Sequence, residues 1–75
     1  MNKTRRKIVN DSIEKIKDIK DDLSIVMDEE EYALQGLEEH FSNTERYEKM
    51  EAAVELLCDA IDDLDEAVDK LENIE

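Results

Sequence analysis

The chain has 75 residues, 44% of them charged, with a formal net charge of −13, one Gly and no Pro. A chain of this length forms one domain with a small core, and the scarcity of Gly and Pro favours long helices over sheets. A direct nucleic-acid binder is not expected, because such proteins neutralise phosphates with Lys and Arg.

The charge is unevenly distributed along the chain. Residues 1–20 carry a net charge of +4, residues 21–43 carry −8 and residues 44–75 carry −9. The acidic part favours a protein partner with a basic surface. Cys58 is the single cysteine, so no disulfide and a reducing cytoplasm are expected. No run approaches the roughly 18 apolar residues of a membrane helix, so no membrane partner is expected.

The first predicted helix spans about residues 4–35. Apolar residues recur on one side of it at helical spacing; they are Ile8, Val9, Ile13, Ile16, Ile19, Leu23, Val26 and Met27. Thr4 is the expected N-cap, with Asp11 or Ser12 as a later alternative. Gly36 is expected to end the helix in the left-handed conformation.

The predicted loop covers residues 36–43. Ser42 with Glu45 fits a capping box for the second helix, and Thr44 is a competing N-cap. The two apolar residues of the loop are Leu37 and Phe41. We expect them to fold back over the end of the helical core; the alternative is an exposed anchor for a partner.

The second predicted helix spans about residues 44–74 and carries an unbroken heptad pattern. Its seam residues step by three and four; they are Tyr47, Met50, Val54, Leu57, Ile61, Leu64, Val68 and Leu71. Ala53, Ala60 and Ala67 follow at intervals of seven beside the seam. The seam predicts a helix–helix or dimer contact.

These elements predict an all-α fold, an antiparallel two-helix hairpin with coiled-coil-like packing. The basic start "KTRRK" would then lie beside the acidic end "DKLENIE". Because the alanines widen the apolar face, we expect the hairpin to dimerise into a four-helix bundle. Ile25 and Tyr32, seven residues apart on the far side of the first helix, are a candidate second contact face.

No motif for catalysis, metal binding or a cofactor is present, so neither an enzyme nor a cofactor is expected. His40 is expected to be a solvated loop residue. The candidate site is the acidic outer face of the second helix; its residues are Glu55, Asp59, Asp62, Asp63, Asp65, Glu66 and Asp69. Three interpretations are open: a solvated face that keeps the protein soluble, a mimic of nucleic-acid phosphates, and weak divalent-cation binding.

Three segments resemble small acidic helical proteins carried by phages, prophages and conjugative elements of Gram-positive bacteria. They are "NKTRRKIV", "DEEEYAL" and "TERYEKMEAAVELLCDAIDDLDEAVDKLENI". Those proteins typically have an Asn-x-Pro-Glu loop, whereas here residues 36–39 occupy it without Pro. The resemblance implies a mobile-element origin, and small acidic proteins of that origin are often inhibitors of host defence, including anti-CRISPR proteins and other DNA mimics.

The functional hypothesis is therefore a phage or mobile-element protein in the cytoplasm of a bacterial host. It would inhibit or modulate a nucleic-acid-handling defence protein through its acidic face. The alternative is a structural or adaptor protein that acts through its apolar seam, as a homodimer or within a partner's helical bundle.

Overall fold

Two α-helices, α1 (Lys3–Phe41) and α2 (Glu45–Glu72), form an antiparallel hairpin in the computed structural model. The structure describes the backbone of residues 1–41 and 44–75 and the side chains of residues 1–37 and 44–75. The predicted all-α hairpin is confirmed. The expectations for Ser42 and for the side chains of His40 and Phe41 lie outside the described residues.

Helix α1 begins earlier than the sequence pattern predicts. Asn2 caps it, because its Oδ1 accepts a hydrogen bond from the backbone N–H of Arg5 at 2.8 Å. The prediction of Thr4 as the N-cap is wrong, since Asn is at least as good a cap as Thr and stands two residues earlier. Asp11 and Ser12 are inside the helix, where the Ser12 hydroxyl donates to the carbonyl of Ile8 at 2.8 Å.

Helix α1 also continues through Gly36, so the predicted stop at that residue is wrong, as is the assignment of residues 36–41 to a loop. No described residue has a positive φ, and Gly36 is therefore helical. A helical Gly costs only about 1 kcal/mol relative to Ala. Leu34 and Leu37 are half-buried and lie on the seam side, so packing across the seam outweighs that cost.

Helix α2 is capped at both ends. Thr44 is its N-cap, as one of the two alternatives predicts, and its hydroxyl accepts a hydrogen bond from the N–H of Tyr47 at 3.2 Å. Asn73 ends the helix: its backbone N–H donates to the carbonyl of Asp69 at 3.2 Å, and its side-chain amide donates to the same carbonyl at 2.7 Å. The predicted end near residue 74 is correct to within two residues.

The two helices differ in length, and this leaves one end of α1 without a neighbour. Its 39 residues span about 58 Å against about 42 Å for α2, and the long dimension of the molecule is 57 Å. Lys17 forms an ion pair with Glu72, the last residue of α2, at 3.6 Å. Residues 3–11, here called the basic arm, therefore extend past the end of α2.

The basic arm corrects the prediction that "KTRRK" lies beside "DKLENIE". Residues 1–8 are all exposed, and the acidic end of α2 contacts Lys17 instead. The reason is the extension of α1 to Phe41, which moves the turn towards the C-terminus and draws α2 away from the start of α1. One basic residue of the arm has an acidic partner within it, since Lys7 lies 2.7 Å from Asp11.

The seam between the helices is only partly closed. Among the described side chains, Ile13 and Val68 are the buried apolar residues, at 6% and 4% exposure. The predicted seam residues of α2 other than Val68 are half-buried. On α1, three residues of the predicted stripe are exposed; they are Ile8, Ile19 and Val26. The stripe is about 140° wide at 100° per residue, so one neighbouring helix covers only part of it.

Candidate partner-binding surfaces

The acidic row consists of six carboxylates on the side of α2 that faces away from α1. They fall within about 80° of one another around the helix; they are Glu48, Glu55, Asp59, Asp62, Glu66 and Asp69. All six are exposed, and the ion pairs found among the described residues do not involve them. At 1.5 Å per residue the row is about 32 Å long.

Two of the seven predicted site residues lie beside this row rather than in it. Asp63 is exposed on the flank of α2. Asp65 lies on the opposite flank, close to the seam, where it forms an ion pair with Lys20 of α1. Asp65 therefore helps to hold the hairpin together, whereas Glu55, Asp59, Asp62, Glu66 and Asp69 are available to a partner.

The two sides of the seam differ in chemistry. On the paired side, two ion pairs join the helices within residues 1–37 and 44–75, Lys20 with Asp65 and Lys17 with Glu72. These pairs bring one flank of α1 against one flank of α2. The other flank of each helix then faces the opposite direction. It is apolar along the middle of the hairpin and carries charged residues nearer the turn, Glu30, Arg46 and Lys49.

We call this second side the open face. Its residues recur at intervals of 4, 7 and 11 along their helices; they are Ile8, Ile19 and Val26 of α1 and Leu56, Ala60 and Ala67 of α2. Five of the six are exposed and Ala67 is half-buried. The open face is an apolar surface that neither helix of the hairpin covers.

The remaining predicted residues are on the surface. Ile25 and Tyr32, the candidate second contact face, are exposed on the back of α1. Cys58 is also exposed, on the flank of α2 that belongs to the paired side. Ile25 and Tyr32 are separated from the open face by roughly a quarter to a third of a turn of α1.

No group of three or more potential ligands that could hold a metal ion occurs within residues 1–37 and 44–75. In the same part of the chain, neither helix is apolar enough over a sufficient length to cross a bilayer. The described surface carries a carboxylate row, an apolar face and the basic arm.

The sequence predicts the acidic row and, from the alanines, a widened apolar face on α2, but not the exposure of Ile19 and Val26. Both residues share the periodicity of the stripe that packs against the second helix. The signal that could have separated them is the width of the stripe, since Val26 lies about 100° from Met27 around the helix. The alanines at intervals of seven pointed to the same side of α2.

Comparisons of the chain with protein-family models, with curated proteins and with solved structures give no match.

Proposed function

We propose that this chain is a phage or mobile-element protein that binds a host nucleic-acid-handling protein and inhibits or modulates it, as anti-CRISPR proteins do. The acidic row would occupy the groove in which the partner holds its nucleic acid. The observation that carries the proposal is the continuous row of exposed carboxylates on α2. The mobile-element origin and the bacterial cytoplasm rest on the resemblance described above.

The charge density of the hairpin supports this proposal. Residues 21–43 carry −8 and residues 44–75 carry −9, which gives −17 over roughly the 42 Å length of α2. That is about one net negative charge per 2.5 Å, compared with one per about 1.7 Å along double-stranded DNA. The acidic row itself is sparser, with six carboxylates over about 32 Å, and the acidic residues of α1 add to the negative potential around it.

Helix stability does not explain the row. Like charges spaced three or four residues apart destabilise a helix by a few tenths of a kcal/mol per pair. The competing explanation is that the row only keeps the protein soluble. Solubility depends on the net charge and not on which helix carries the charged residues. The two explanations therefore differ in whether the position of the charges matters.

A pull-down from bacterial lysate tests the proposal through this difference. Two baits are compared, the wild-type protein and a triple variant. The variant carries three charge reversals within the acidic row, Asp59→Lys, Asp62→Lys and Glu66→Lys. We expect the wild-type protein to capture a nucleic-acid-binding protein that is released by moderate salt and displaced by duplex DNA. The triple variant should lose it, because the carboxylates that stand in for phosphates are gone.

The matched control reverses three exposed carboxylates on α1 instead, Asp21→Lys, Asp22→Lys and Asp28→Lys. The change in net charge is the same, and the acidic row is intact, so binding should persist. Equal binding by both variants would contradict the proposal, and equal loss would show that only net charge matters. Circular dichroism of both variants checks that the helices remain.

The alternative is an adaptor or structural protein that acts through apolar contacts, as a homodimer or within a partner's helical bundle. The open face favours it, since this surface is apolar and uncovered in the single hairpin. It predicts capture that resists high salt and is abolished by Leu57→Asp in the half-buried seam. Charge reversal within the acidic row would then leave capture unchanged.

A further inference from the structure

The single hairpin exposes more surface than a monomer of its mass usually does. A compact protein of 8.8 kDa has roughly 4,800 Å² of accessible surface, whereas this chain has 5959 Å². The excess is about 1,200 Å², and a stable dimer buries about 800 Å² on each partner. The area that the hairpin fails to bury is thus sufficient for one interface.

We propose that the open face binds the open face of a second copy of this chain to form a four-helix bundle. The two hairpins are related by a two-fold axis and run antiparallel, so that the N-terminal end of one lies beside the turn end of the other. This inference rests on the homodimer named above as an alternative and specifies its surface and its orientation. It leaves the acidic row on the outside of the bundle, so the dimer and the partner-binding proposal can each fail without the other.

The open face lies where such an interface requires it. Ile8, Ile19 and Val26 extend over 18 residue steps, about 27 Å, along α1. Leu56 and Ala60 continue the same surface on α2. Ala60 and Ala67 are small and allow the helices of a second hairpin to approach closely. Ile19 and Val26 provide the apolar area that would be removed from water.

The orientation follows from the charges at the two ends of the hairpin. Residues 1–11 carry +3, whereas residues 28–48, at the turn end, carry −7. A two-fold axis through the middle of α1, near residue 22, places the basic arm of one copy level with residues 33–41 of the other. The arm, which extends past α2 in its own hairpin, would then lie at the acidic turn end of the second copy.

The opposite orientation is unfavourable for the same reason. Two hairpins side by side in parallel would place arm against arm and turn end against turn end, with like charges at both ends. The net charge of each copy opposes association in either orientation, but charges further apart than about 8 Å are largely screened at physiological ionic strength. Contacts between neighbouring charges therefore decide the arrangement.

The first test is the mass in solution, measured by sedimentation equilibrium over a concentration series. The wild-type protein should reach twice 8.8 kDa, and Val26→Glu should remain at the monomer mass because it places a charge in the open face. The matched control is Ile25→Glu, the adjacent residue on the back of α1. Both residues are exposed, at 47% and 57%, so neither change disrupts the hairpin, and the control should still dimerise.

The second test is the distance between the two arms in the dimer. Spin labels are placed at Thr4→Cys in a chain that also carries Cys58→Ser. Antiparallel packing separates the two labels by about 54 Å along the bundle. Parallel packing brings them to about 20 Å or less, which is two helix diameters. A monomeric wild type, a dimer that Val26→Glu does not dissociate, or a short label distance would each overturn the proposal.

Discussion

The basic arm and the rest of α1 belong to one continuous helix but are stabilised in different ways. From Ser12 onwards α1 packs against α2, and Ile13 is buried there. The arm is exposed except at Val9, which is half-buried on the seam side, and isolated helices shorter than about 12 residues are marginal in water. The arm depends on local interactions: the Asn2 cap at 2.8 Å and the ion pair between Lys7 and Asp11 at 2.7 Å.

This difference shows which interactions determine the stability of the fold. A change in the paired part should alter the free energy of unfolding of the whole hairpin. The same kind of change in the arm should alter only local fraying. Substitutions in the paired part are therefore compared with substitutions of the same kind in the arm. All are measured at protein concentrations where the chain is monomeric, so that dimerisation does not contribute.

The largest effect is expected for Val68→Ala. Val68 is 4% exposed, and removing two buried methyl groups should lower the free energy of unfolding by about 2 kcal/mol. Urea denaturation followed by circular dichroism measures it. In the arm, Ile8→Ala removes apolar atoms from a residue that is 60% exposed, and a change within about 0.5 kcal/mol is expected. Equal losses would mean that the arm also packs against α2.

The two N-caps provide the second comparison. Thr44→Ala removes the acceptor for the N–H of Tyr47 at the start of α2, and a loss of about 1 kcal/mol is expected. Asn2→Ala removes the equivalent bond of the arm. We expect it to speed amide hydrogen exchange within residues 3–10 while the midpoint of thermal unfolding stays the same. A lower midpoint would show that the arm unfolds together with the hairpin.

Much of the fold was predictable because hydrophobic periodicity is a local signal. The heptad from Tyr47 to Leu71 predicts α2 and its seam, and Thr44 was among the predicted caps. The helix ends were less predictable, because Gly36 ends a helix only if nothing favours its continuation. Here Leu37 packs at the seam, and the N-cap of α2, Thr44, lies eight residues after Gly36.

The site was predictable only in part, for a related reason. Exposed carboxylates on the outer side of α2 follow from the heptad alone, since they occupy the positions opposite the seam. The pairing of Asp65 with Lys20, and the exposure of Ile19 and Val26, depend on how the helices are aligned lengthwise and rotated about their axes. That alignment is set by where α1 ends, which the periodicity did not determine.

Gly36→Ala tests the corrected end of α1. A Cβ at Gly36 would meet no atom within 4 Å, and the backbone there is helical. Ala should therefore stabilise the hairpin by about 0.5–1 kcal/mol in urea denaturation. Asn10→Ala is the counterpart in the arm, where higher helix propensity should increase ellipticity without changing the unfolding midpoint. A loss of stability in Gly36→Ala would mean that this residue needs a conformation that Ala cannot adopt.

The smallest effect is expected for the ion pairs. Lys20→Met removes the charge that pairs with Asp65 but keeps an apolar stem for packing; the Lys20 side chain is 23% exposed, compared with 75% for Lys7. We expect a loss of at most about 1 kcal/mol, smaller in high salt. Lys7→Met should leave global stability unchanged.

A double-mutant cycle of Lys20→Met with Asp65→Asn isolates the pairwise energy. A measurable coupling would show that charge pairing closes the paired side of the seam and fixes how α2 is rotated against α1. Zero coupling would mean that packing at Ile13 and Val68 sets this rotation by itself. The exposure of the open face would then follow from the width of the apolar stripe on α1, because one neighbouring helix cannot cover about 140° of surface.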